Sequence, residues 1–277
     1  MNSTPKNFQL PFIRKEKIAR DIYSFYFNRL ANADFDFVAG QYIRMILNIA
    51  NPDERGTSRF FTVASSPLEK QYIMITTKII KSSFKKKLLE LWPKDMVKFY
   101  GPIGGFILNE EDKHERVFLA GGIGITPFHS MITYLHAKNL SIPITLIASF
   151  STIEDLIFYE ELSDIAKENP RIKVIYTISH PEKSFQNSFR HSRESGNPIR
   201  SFAENDGFEI AFEGSRKSWN CETGRITDAL IKKFISNIFE PLYYIVGPPV
   251  MVAAIEDTVR KMGVANDKIF IENFTGY

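Results

Sequence analysis

Cysteine is almost absent: Cys221 is the single thiol in 277 residues. One thiol closes no internal disulfide and supplies no four-thiolate iron–sulfur site, so any cluster must reside on another protein. It also suits a reducing compartment, and a cytoplasmic location is expected. Long apolar runs are scarce too. The two richest, "PITLIASF" and "PLYYIVGPPVMVAAI", fall short of a membrane span and are interrupted by proline or followed by charge. The opening "MNSTPKNFQLPFIRKEK" lacks the apolar run of a signal peptide. Charge of one sign is missing as well: 35 Lys and Arg stand against 32 Asp and Glu, a formal net charge of +3. That balance gives no broad field for nucleic acid, so neither nucleic-acid binding nor membrane insertion is expected. His114, His129, His136 and His191 show no metal-ligand spacing, and no Ser–His–Asp or paired-carboxylate arrangement is evident; no metal is expected.

What is present is the composition of a globular protein, 44% hydrophobic and 24% charged, with enough length for two ordinary domains. Up to about Leu108 the chain reads as strands separated by turn residues: "PFIRKEKIA", "DIYSFYFN", "QYIRMILN", "RFFTVA", "QYIMITTK" and "MVKFY". In "QYIRMILN" the alternation puts Tyr42 and Arg44 on one face and Ile43 and Met45 on the other, as in a barrel wall with one wet side. One helix, "SSFKKKLLELW", interrupts them. An antiparallel β-barrel over residues 1–112 is expected. After Lys113 strands and helices alternate, which calls for a parallel α/β sheet with right-handed crossovers over residues 113–277. A Ser-, Asn-, Arg- and Gly-rich stretch at about 182–217 fits neither unit. Its "FRHSRESGNP" resembles peptides translated from repetitive palindromic DNA elements, and a passive extruded loop is expected there rather than a lid.

Four stretches carry chemistry. "RFFTVASSP" interleaves Arg59, Phe60, Phe61 and Thr62 on one strand, and a guanidinium fork suits a pyrophosphate. In "ITTKIIKSSFKKKL", Ser82 or Ser83 at a helix start offers hydroxyl and backbone N–H donors to an anion. "VFLAGGIGITPFHSMI" runs a buried strand into Gly121, Gly122 and Gly124, then into a helix whose first turn holds Thr126 and Pro127. Glycines there allow backbone to approach a pyrophosphate closely, and Pro127 suits the first helical turn. "YYIVGPPVM" adds Gly247, Pro248 and Met251 after a second buried strand, and the chain closes on "IENFTGY".

Together with "AGQYI" (39–43) and "GPIGGF" (101–106), these stretches resemble the ferredoxin–NADP reductase superfamily, in that family's order and over nearly the whole chain. The resemblance implies a flavin domain followed by a nicotinamide domain. It assigns Arg59 to the flavin phosphate, Phe61 to the isoalloxazine and Thr62 to flavin N5. Phe60 accompanies them, and Ile75, Thr76 and Thr77 form a second flavin segment. The glycine loop with Thr126 and Pro127 receives the dinucleotide, Gly247, Pro248 and Met251 lie beneath the nicotinamide, and Val246 stands where relatives usually carry Cys. Glu272 takes the place of an acidic residue near the flavin, and Tyr277 that of an aromatic shield. The implied cofactors are FAD and NADH or NADPH. NADH is preferred, because Ser151 and His180 stand where NADP-using relatives carry arginine, although Arg225 is a cation able to serve NADPH. The implied reaction is hydride transfer to FAD and electron delivery to a separate protein such as ferredoxin or flavodoxin. Alternatives are the reductase component of a multicomponent oxygenase and a non-catalytic flavin-binding regulatory subunit.

Overall fold

The computed structural model describes residues 4–32, 35–186, 201–204, 207–211 and 218–275. Its first unit is a six-stranded antiparallel sheet in the order β4-β3-β6-β1-β2-β5. The strands are β1 (Lys6–Ala19), β2 (Ile22–Asn28), β3 (Tyr42–Ile46), β4 (Ser58–Thr62), β5 (Tyr72–Lys78) and β6 (Met96–Ile103). β1 begins five residues before the sequence suggests, because proline looks like a boundary. It is instead the point where the strand changes partner: Lys6–Pro11 pair with β6, and Phe12–Ala19 pair with β2. The two edges of the sheet curl together, and the Ala64 N–H, just after β4, donates to Met74 O on β5 at 2.7 Å.

Phenylalanine fills the barrel. Phe8 stacks on Phe35 at 4.3 Å and Phe27 meets Phe99 edge-on at 5.1 Å, each such side chain contributing about 1.5–3 kcal/mol by leaving water. Ile43 and Met45 are fully buried while Tyr42 and Arg44 are not, as the alternation in β3 requires. Helix α1 (Ser83–Leu89) closes one end of the barrel. Ser82 caps it by accepting from Lys85 N–H, and Phe84 and Leu88 anchor it in the core.

The second unit holds β7 (Arg116–Gly121), α2 (Thr126–Ala137), β8 (Ile144–Phe150), α3 (Tyr159–Glu168), β9 (Ile172–Ile178), α4 (Pro181–Gln186), β10 (Ser201–Glu204), β11 (Gly207–Ala211), β12 (Ser218–Thr223), α5 (Asp228–Phe234), β13 (Leu242–Gly247), α6 (Pro249–Lys261) and β14 (Ile269–Asn273). The sheet order is β10-β11-β12-β9-β8-β7-β13-β14, parallel from β12 to β14. β7 is buried along its whole length, which is why it reads as an unbroken apolar run apart from Arg116. From β7 the chain winds outward through β8 and β9, then returns to add β13 on β7's other side. The crevice at the carboxyl ends of β7 and β13 is therefore the topological switch point, where open α/β sheets take ligands.

The expected insert at about 182–217 carries strands of its own. Residues 201–204 and 207–211 form an antiparallel hairpin on β12, itself not anticipated as a strand. An edge strand exposes unpaired N–H and C=O groups, and the hairpin covers them. Residues 187–200, with all of "FRHSRESGNP", lie outside the described residues.

The two units meet through α2. His129 Nδ1 lies 2.7 Å from Ala64 O, and the Ser130 hydroxyl donates to Ser65 O at 2.7 Å. The "ASSP" that follows β4 thus docks onto the helix that follows the glycine loop.

Candidate functional site

Of the cavities near this junction, two are bordered by the residues that the sequence singles out. The first, of about 350 Å³, is bordered by Tyr42, Arg55, Arg59, Phe60, Phe61, Thr62, Thr76, Lys85, Thr126 and, from β14 onward, Glu272 to Thr275. The second, of about 520 Å³, lies over the switch point and is bordered by Gly121, Gly122, Gly124, Ser151, His180, Arg225, Pro248 and Met251. Phe274 borders both, and both volumes fall in the ~300–1,000 Å³ span of small-molecule sites.

The first cavity is built by side chains. Alternation along β4 turns Arg59 and Phe61 inward, where Phe61 lies tilted against Phe84 at 5.9 Å and the Arg59 guanidinium sits 5.1 Å from the same ring. Phe60 points outward, 61% exposed, and meets Tyr42 edge-on at 5.6 Å. Arg59 donates to the carbonyls of Arg55, Gly56 and Ser58 and pairs with Asp53 Oδ1 at 2.8 Å. Its Nε is buried with no partner among the described residues. Asp53 also receives the backbone N–H and hydroxyl of Ser83 at 3.0 and 2.9 Å. Ser83's hydrogen bonds, joined by Arg59's, hold that carboxyl below its ordinary range.

Ser82 and Ser83 are therefore occupied by the chain itself, Ser82 in capping α1 and Ser83 in holding Asp53, and neither borders the cavity. Thr76 does border it, with its hydroxyl 2.8 Å from that of Ser24. Thr77 is buried behind it, and Ile75 faces the barrel core. Thr62 is 7% exposed on the cavity wall. Glu272 stands across from it, beside Val246 in the parallel register of β13 and β14. Its Oε2 is buried without a partner among the described residues, and burial pushes the carboxyl up to about 7. Tyr277 lies outside the described residues.

Two polar residues that border this cavity, Arg55 and Lys85, and Asp53, which pairs with Arg59, have no signature in the sequence. Lys85 is 4% exposed on α1, donates to Thr77 Oγ1, and its ammonium lies 4.8 Å from the Phe61 ring centroid. The one signal for its burial is the i, i+3 relation to Leu88, which places both on one helix face.

The second cavity is built by backbone. A Cβ on Gly124 would lie 2.4 Å from Val246 O, and one on Gly121 would lie 2.0 Å from the Met251 sulfur. Gly122 has φ +52°, a conformation open to glycine at no steric cost. The glycines thus let the loop after β7 press against the end of β13. Thr126 opens α2 with its hydroxyl donating to Ile123 O at 3.0 Å, and Pro127 sits buried in the first turn. A Cβ on Gly247 would lie 3.4 Å from the Gly121 backbone, in ordinary contact at the strand ends. Arg225 and Lys78 supply cations to the wall, with Asp155 held by Arg20 at 3.0 Å.

These residues fit a flavin nucleotide beside a nicotinamide dinucleotide. Unpartnered polar atoms at Arg59 and Glu272 and a buried ammonium at Lys85 face one cavity, and close-packed glycine backbone forms the other. Arg59, Thr62 and Thr76 would hold the flavin, and the loop from Gly121 to Gly124 with Pro248 and Met251 the dinucleotide.

Comparison with known proteins agrees. Residues 9–107 match the family model for an oxidoreductase FAD-binding domain, and residues 118–193 that for an oxidoreductase NAD-binding domain. Among curated proteins, a Na(+)-translocating NADH-quinone reductase component of Klebsiella pneumoniae is 25% identical over 275 residues, covering 90% of this chain and 58% of that one. The flavohemoprotein of Bacillus subtilis is 25% identical over 271 residues, covering 95% and 59%. The chain thus spans under two thirds of the length of these relatives. Among solved structures, the flavohem-like FAD/NAD-binding domain of the nitric oxide dioxygenase of Vibrio cholerae superposes with a TM-score of 0.73 at 17% identity, covering 96% of this chain and 98% of that one. The ferredoxin NADP+ reductase of Neisseria gonorrhoeae, with bound FAD and NADP, gives 0.70 at 18% identity, covering 97% and 98%.

Proposed function

Because the chain belongs to the ferredoxin–NADP reductase superfamily, with an FAD-binding unit followed by an NAD-binding unit, we propose that it oxidises NADH and delivers the electrons to a separate carrier protein. The observation that carries this reading is the shared wall. Phe274 borders both cavities, and Thr126, on the helix that leaves the dinucleotide loop, reaches the first. Bound FAD supplies the acceptor for a hydride and the donor for single electrons.

In this reading the protein's own groups position and exclude. Arg59 opposes the flavin phosphate, Thr62 offers its hydroxyl at the ring's reactive edge, and Phe60 with Tyr42 covers the open side. Glu272, with its raised pKa, holds or releases a proton near neutrality. Phe274 must yield for the two rings to meet, and close stacking at reacting distance is the larger part of the rate enhancement.

NADH is favoured over NADPH. Ser151 and His180 border the second cavity at the positions where NADP-using relatives carry arginine, and neither is a permanent cation. Relatives that belong to an NADH-quinone reductase support the same donor. The carrier is a ferredoxin, a flavodoxin or an oxygenase component, the last being the context of a structural relative, the ferredoxin reductase in carbazole 1,9a-dioxygenase. A cytoplasmic location belongs to this reading, supported by one cysteine, Cys221, whose buried thiol is pushed up to about 12. Among the described residues no helix is long and apolar enough to cross a membrane.

The test is sequential. Anaerobic NADH should bleach the flavin band of the loaded protein faster than NADPH does, and an oxidised carrier protein should then restore the colour. A flavin band that neither nucleotide bleaches identifies a regulatory flavoprotein instead.

A further inference from the structure

Lys85 is not needed to build α1, yet it is the most deeply buried amine bordering either cavity. The residue is 4% exposed, borders the first cavity, and its ammonium finds one hydroxyl, Thr77 Oγ1, and one aromatic face, Phe61. No carboxylate pairs with it among the described residues. From the loop before β4 and from β4 itself it faces Arg55 and Arg59, like charges that oppose it. β5 offers it only neutral hydroxyls, and β14 contributes Glu272 on the cavity wall, at no bonding distance from it. Asp53 is committed to Arg59 and Ser83.

An ammonium withdrawn from water beside two guanidiniums and without an anion is disfavoured, and this environment lowers its pKa to about 7. Lys85 thus borders the cavity among like charges, and no carboxylate among the described residues balances it. The missing counter-charge is that of an anionic ligand.

We propose that Lys85 binds the phosphate of the flavin nucleotide and makes cofactor binding a proton-linked event. The inference rests on the flavin occupying the first cavity. At pH 6 the amine is charged and ready for the phosphate. Above pH 7 the free protein holds it neutral, and binding requires uptake of one proton from solvent to form the ammonium–phosphate pair. The sign follows: affinity for FAD is at its plateau below pH 7 and falls as pH rises, by up to about tenfold per unit, until the pKa of the bound state is reached. No bond is made or broken beyond the N–H bond of the protonated amine.

The test is titration of flavin-stripped protein with FAD and with riboflavin between pH 6 and 9, followed by quenching of flavin fluorescence. The FAD dissociation constant should rise with pH above 7, whereas that of riboflavin, which has no phosphate, should stay flat. Lys85→Met should bind FAD more weakly at pH 6 and with no slope. Lys85→Arg, charged throughout, should bind tightly with no slope. Thermal melting adds a second readout. Lys85→Met removes an unpaired buried cation, so the flavin-free form should melt higher than wild type while FAD raises its melting point less. A pH slope shared by riboflavin, or retained in Lys85→Met, would overturn the assignment. Failure of the protein to bind either flavin at any pH would instead overturn the placement of the cofactor, a separate result.

Discussion

The two cavities differ in what builds them. The first cavity, proposed for the flavin, is made of side chains drawn from α1, β4, β5 and β14, with Arg59 Nε and Glu272 Oε2 unpartnered among the described residues. The second, proposed for the dinucleotide, is made of strand ends and glycines whose missing side chains let β7 and β13 close on each other. A side-chain site can be tuned by pH and by single charges. A backbone site is fixed by packing and yields to bulk alone.

The largest break in that contrast should come from Arg59→Ala. Arg59 braces the loop before β4 through Asp53 and three carbonyls, and its loss also removes the cation proposed to face the phosphate, a charge-assisted contact of about 1.5–3 kcal/mol. Flavin affinity should fall by about a hundredfold or more, and the protein should purify pale, as the ratio of flavin to protein measures. Full flavin content in the variant would remove Arg59 from the site.

Gly124→Ala should strike the other cavity alone. Its Cβ meets a backbone oxygen rather than a flexible side chain, so the loop must move. Overpacking of this kind costs about 1–3 kcal/mol. The KM for NADH should rise by about tenfold to a hundredfold while flavin content is kept; loss of flavin with unchanged KM would reverse the two assignments.

Glu272→Gln sharpens the pH side. The carboxyl titrates near 7 in the folded protein, above its unfolded value, so the native state binds more protons between roughly pH 4.5 and 7. Stability should fall as pH rises through that window and level off above 7, and the glutamine variant should lose this dependence. Melting temperatures at pH 5 and pH 8 decide it. Lys85 acts in the opposite sense over a higher window, with stability regained from pH 7 toward 10 as the unfolded chain loses its extra proton. The smallest expected change is Val246→Cys, which introduces the residue that the family resemblance implies for this position. At this fully buried position it should cost less than about 1.5 kcal/mol and quicken flavin reduction by a few-fold at most, as stopped-flow absorbance would show.

The same contrast governs how much was legible in the sequence. Gly121 and Gly124 announce a backbone site because a Cβ at either would strike the Met251 sulfur or the Val246 carbonyl, Gly122 because of its positive φ, and the alternating pattern of "QYIRMILN" announces its buried face. Asp53 and Lys85 announce nothing, since their roles arise from partners at Ser83 and Thr77 that only the closed barrel brings near. His129 is similar: its partners are Ala64 and Glu161, 65 and 32 residues away, and neither spacing is local. The two serines at the start of α1 show the reverse case. Their hydroxyls looked free for a phosphate, and the cap and Asp53 already hold them. β10 and β11 escaped notice because edge pairing depends on the available edge of β12 more than on the hairpin's own composition.

The most direct measurement is a crystal structure of the chain with FAD and NAD+ bound. The account predicts the flavin between β4 and β14, with its phosphate beside Arg59 and Lys85, and the dinucleotide over the Gly121–Gly124 loop with Phe274 displaced. A flavin bound elsewhere, with Arg59, Lys85 and Phe274 where they stand now, would contradict it.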